Sequence, residues 1–171
     1  LAQEAVLPVV RIEEVGPGLE GKVVRKPQLL GTAVFRGDTM VAELTPEETE
    51  TFMMLTGRMD SFIESLPAPG QPDYQVILEL TEEARKVDLD LSGEQPAFRM
   101  HVRAKAQLRE IELAHPDLVT PEGLRDLEDR LGERLTKKAG ELISKLQEEH
   151  RADIVGFGQH LKGRLLDWPS W

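Results

Sequence analysis

The chain has 171 residues, with 21 Lys plus Arg against 31 Asp plus Glu and a formal net charge of −10; at that length a single domain, residues 1–171 with one core, is expected. Its 40% hydrophobic and 30% charged residues exclude a disordered chain, no apolar run approaches the roughly 20 residues of a spanning helix, and the acidic balance excludes general affinity for nucleic acid, which rests on Lys and Arg. The absence of cysteine removes disulfides, thiolate nucleophiles and Cys-ligated zinc together, and a start at Leu1 without an initiator Met or signal peptide is expected of a piece of a longer protein.

Val6 to Val15 carries β-branched residues around Pro8 and ends in Gly16-Pro17-Gly18, the pattern of an edge strand and a turn. Lys22 to Arg36 is rich in Val and Leu with Gly31 inside, and Gly37-Asp38 leads into Met40 to Leu44, which predicts a β-hairpin. Thr45-Pro46-Glu47-Glu48 opens a helix expected to reach about Thr56. Thr45 caps it, Pro46 suits the first turn, and Glu48 stands where a capping box places its carboxylate. Gly57 then ends the helix in a left-handed conformation. With capping and helix-dipole roles available, Glu47 and Glu48 read as helix-start residues rather than as a catalytic acid–base pair.

From Tyr74 to about Ile111 the pattern is a long ribbon. Phe98, Met100, Val102, Ala104, Ala106 and Leu108 alternate with Arg99, His101, Arg103, Lys105, Gln107 and Arg109, giving one core face and one basic face. A turn over Gly93 to Pro96 sets Asp90 opposite Arg99 and Asp88 opposite His101, so the basic face reads as neutralised by its neighbour; an anion- or nucleic-acid-binding surface is the alternative. Val76, Leu78 and Leu80 have the opposite parity to Val87, Leu89 and Leu91, which predicts a bulge between Thr81 and Lys86. The four His show no HxxH or HExxH spacing, and no metal site is expected.

Pro121 to His150 is the strongest helical signal, with Leu124, Leu127, Leu131, Leu135, Ala139, Leu142 and Leu146 on one face. Core packing explains the stripe; a surface for a partner helix is the alternative. Thr120 is the expected cap, and Asp126 with Arg130, Glu133 with Lys137 and Glu141 with Lys145 are the expected ion pairs. The segment Asp153-Ile154-Val155-Gly156-Phe157-Gly158 lacks the strand and GK[ST] of a phosphate loop, and Asp153 would repel an anion. A bend with Asp153 capping backbone amides is expected instead. The fold class is α+β: an antiparallel β-sheet with a long C-terminal amphipathic helix and a shorter helix packed on it.

Gly31-Thr32-Ala33-Val34-Phe35-Arg36-Gly37-Asp38, continuing through Leu44-Thr45-Pro46-Glu47-Glu48-Thr49 to Gly57, resembles the opening motif of the C-terminal domain of the Ger(x)C family of spore germination proteins. Ala152 to Gly158, followed by a basic stretch and the Pro/Trp tail of Lys162 to Trp171, is similar to the family's closing motif. Ala42 stands where the family often has Gly. The resemblance marks Phe35, Thr45, Glu48, Gly57, Asp153, Gly156, Phe157 and Gly158 as structural or interaction residues. It implies no catalytic residue, no enzyme activity and no cofactor.

What it does imply is a lipoprotein C subunit of a nutrient germinant receptor on the outer face of the spore inner membrane. Such a subunit works with integral membrane subunits in assembly or signalling, and its lipid anchor lies outside this soluble stretch. An extracytoplasmic module for a small ligand or cell-wall polymer is the alternative, and a cleft lined by Trp168, Trp171 and Tyr74 would mark it. Family members continue into a further strand after the Trp-rich tail, so one sheet edge is expected to be open here.

Overall fold

Among the described residues, β-branched runs separated by tight turns build two three-stranded antiparallel sheets. A computed structural model describes residues 3–17, 23–69, 71–93, 96–111 and 120–162. The elements are β1 (Val6–Pro17), β2 (Val23–Arg36), β3 (Thr39–Leu44), α1 (Pro46–Thr56), β4 (Phe62–Ala68), β5 (Gln71–Asp90), β6 (Ala97–Ile111), α2 (Pro121–Ser144) and α3 (Phe157–Lys162). The sheets have strand orders β1-β2-β3 and β4-β5-β6. The chain divides into two units, Leu1–Glu50 with Leu142–Trp171, and Thr51–Glu141.

In the first unit β2 turns through Gly37-Asp38 into β3, as the hairpin signal predicts. A Cβ on Gly31 would overlap the Leu44 carbonyl oxygen, so the approach of these backbones requires glycine there. Val34, Leu44, Leu142, Leu146 and Ile154 are buried. The capping box of α1 is formed: Glu48 N donates to Thr45 Oγ1 at 3.2 Å, and Thr45 N donates to Glu48 Oε2 at 2.8 Å.

The second unit is centred on an apolar cluster of Leu66, Ala68, Val76, Leu78 and Leu80 with Leu127 and Leu131 of α2. β4 has no counterpart in the sequence reading, and Glu64 is the reason. It occupies an inward position between Phe62 and Leu66 and breaks the apolar alternation, while Ile63 faces out. The buried carboxylate is held by Lys138 and by Arg134, whose Nε lies 3.3 Å from Oε2. Gly57 has φ 68, and the Arg85 guanidinium donates to Leu55 O at 2.7 Å, satisfying a carbonyl that the end of α1 leaves free. The register of β5 and β6 shifts between Glu82 and Ala84, inside the predicted Thr81–Lys86 window.

Four expectations are corrected. Asp88, not Asp90, lies opposite Arg99, and Lys86 lies opposite His101. Asp90 instead accepts from Ser92 N at 2.9 Å and Ser92 Oγ at 2.6 Å; it starts the turn and moves the pairing by two residues. The helix is not uniformly α-helical to His150, because Lys145–His150 is a π-helical turn closed by Arg151 at φ 49 and ψ 43. Asp126 pairs with Arg130 at 3.0 Å, but Lys137 is paired with Glu141, and Lys145 reaches the half-buried Glu48 of α1 rather than Glu141. Leu124 is exposed, so the Leu stripe meets the core only from Leu127 onward.

Candidate functional site

The opening and closing sequence blocks meet in the first unit on a short seam, Gln3-Glu4-Ala5. Glu4 N donates to Asp153 O at 3.2 Å, and Phe35 N donates to Ala5 O at 3.0 Å. Gly37 N donates to the Glu4 carboxylate at 3.1 Å, and the Gln3 side-chain amide donates to Ile154 O. The seam therefore carries backbone bonds to both blocks. Sequence reasoning passed over it, since a polar triplet ahead of a strand has no periodicity and no turn signature.

Asp153 organises the closing block. Its Oδ1 accepts from Gly156 N at 2.8 Å and Phe157 N at 2.9 Å, and its Oδ2 accepts from Gly158 N at 2.6 Å, capping the start of α3. Gly156 has φ 87, a left-handed conformation that side chains other than glycine adopt only under strain. With both oxygens bonded to backbone amides, the carboxylate is occupied in shaping this loop.

Glu48 links the opening block to the π-helical turn, its Oε1 lying 2.6 Å from Lys145 Nζ. Burial works to raise the Glu48 pKa, but the Lys145 ammonium and the Thr45 amide outweigh it, and the net shift is downward. Beside that turn, Phe157, Ile143, Leu146 and Val155 line a groove of about 230 Å³, to which Gln147 and Arg151 add polar groups.

Phe35, Thr45, Glu48, Asp153, Gly156, Phe157 and Gly158 thus all belong to the first unit, while Gly57 falls in the second. Tyr74 stands in β5; Trp168 and Trp171, named for a ligand cleft, lie outside the described residues. Among the described residues no group of three or more His, Asp or Glu is placed to hold a metal ion, and no helix is long and apolar enough to cross a membrane.

Residues 30–171 match the family described as spore germination B3/GerAC like, C-terminal. The chain belongs to this family. The resemblance of the two sequence blocks to the C-terminal domain of Ger(x)C spore germination proteins is thereby confirmed. Spore germination protein GerQC of Bacillus cereus is 23% identical over 143 residues, covering 84% of this chain and 39% of that protein. Spore germination protein B3 of Bacillus subtilis (strain 168) is 22% identical over 129 residues, covering 75% of this chain and 34% of that protein. The chain thus spans well under half the length of these relatives. The crystal structure of the GerBC protein shares the fold, with a TM-score of 0.77 over 97% of this chain and 48% of that chain at 19% identity.

Proposed function

We propose that this chain is a non-catalytic domain of a germinant receptor C subunit, acting in receptor assembly or signalling during spore germination. Its partners on this reading are the receptor's integral membrane subunits. Its place is the outer face of the spore inner membrane, through a lipid anchor outside the chain. The observation that carries the reading is the family match over residues 30–171. The site chemistry supports it, because Asp153 and Glu48 are bonded to backbone amides and to Lys145. On this reading residues 1–171 act as one domain.

The test is copurification from spores of the full-length protein with the membrane subunits, in wild-type and Asp153→Asn forms. The substitution removes one of the two equivalent acceptors and is expected to lower the melting temperature and receptor recovery together. Failure of the wild-type protein to recover any membrane subunit overturns the assembly reading. Lost germination with unchanged stability and receptor level would assign Asp153 a direct contact instead.

A further inference from the structure

Among the described residues, β1 is one outer strand of its sheet, and β3, the other, pairs with β2 only from Thr32 to Arg36. Beyond that point β1 and β2 run on as a two-stranded arm, a structure marginally stable by itself in water. Directly opposed pairs share a face, so Val10 with Leu29 and Ile12 with Pro27 form one apolar side of the arm. Val10 is 57% exposed, Ile12 68% and Leu29 55%.

The direction of the free hydrogen-bonding groups follows from one bond. Phe35 N donates to Ala5 O, so the odd-numbered residues of β1 face β2 and the even-numbered ones face away. The register shift after Val9 skips Leu30 of β2 and leaves the alternation of β1 intact. Pro8, which has no N–H to offer, accordingly faces outward, as a proline on an edge should. The N–H and C=O groups of Val10, Ile12 and Glu14 therefore line the open edge.

We propose that this edge pairs antiparallel with the same edge of a second copy, about a two-fold axis at Ile12, joining two three-stranded sheets into one of six. That register sets Ile12 against Ile12 and Val10 against Glu14 as hydrogen-bonded pairs. It sets Arg11 of each copy against Glu13 of the other at the intervening positions, where side chains approach most closely. The apolar side of the arm becomes continuous across the axis. β6, one of the two outer strands of the other sheet, is unsuited to the same pairing, since Arg99, His101, Arg103, Lys105 and Arg109 would meet their own kind.

Sedimentation equilibrium of this chain at low salt, from micromolar to about 1 mM, tests the pairing. A dimer is expected. Arg11→Glu and Glu13→Arg, each placing like charges at both symmetric sites, should weaken it by about tenfold or more. An equimolar mixture of the two variants should restore it, because every mixed pair again opposes unlike charges. Ile12→Pro should abolish it by removing the outward N–H while sparing the bonds to β2. A monomer throughout the range, a dimer indifferent to these substitutions, or a mixture no tighter than either variant alone would each overturn the proposal.

Discussion

In the second unit Leu66, Val76, Leu78 and Leu80 are covered by Leu127 and Leu131, and any well-fitting apolar set would fill the space. In the first unit, by contrast, Gln3, Glu4 and Ala5 are tied by individual hydrogen bonds to Phe35, Gly37, Asp153 and Ile154. The first arrangement depends on volume and the second on particular donors and acceptors at particular places. Motif-like sequence is therefore concentrated in the first unit and periodic sequence in the second, and substitutions should fail in different ways in each.

The largest effect separating the two is expected at Leu78. Leu78→Ala should cost about 2–5 kcal/mol, whereas Leu78→Met, which nearly conserves volume, should cost less than about 1.5 kcal/mol. Urea unfolding of both variants measures the gap, and equal costs would show that this core also depends on shape. At Asp153 the pattern reverses. Asp153→Ala should cost about 2 kcal/mol by stranding three backbone amides, and Asp153→Glu, though it keeps the charge, should recover little because its longer stem misplaces the oxygens. Full recovery by Glu would mean that charge rather than geometry matters there.

The smallest effect is a pH dependence. The folded pKa of Glu48 lies below its ordinary value of 4.5, so its ion pair with Lys145 contributes in full above that pH and is lost as pH falls through the lowered value. Unfolding midpoints of the wild type and Glu48→Gln should therefore differ most at neutral pH and converge as pH falls through the lowered value. A difference that stays constant across this range would remove the ionic contribution.

Most of the architecture was legible, because it rests on period and punctuation. The hairpin at Gly37-Asp38, the Thr45–Glu48 capping box, the left-handed Gly57 and the bulge before Lys86 are all local signals, and all are present. What escaped was set by contacts distant in sequence. Glu64 hides β4 because its partners lie on α2, Lys145 leaves Glu141 for Glu48, and the π-helical turn leaves no mark on a Leu stripe that stays in phase through Leu146. At the site, the residues of both blocks were visible but the seam joining them was not.

The seam also separates two borders that are easily confused. The match to the family's sequence pattern begins at Leu30, yet the hydrogen bonds that join the opening and closing blocks come from Gln3, Glu4 and Ala5. A chain begun at Leu30 would keep every recognisable residue. It would leave β2 with a bare edge from Gly31 to Val34 and return the carbonyls of Asp153 and Ile154 to water. The stretch by which relatives are recognised is therefore shorter than the stretch that must be inherited together for the first unit to fold.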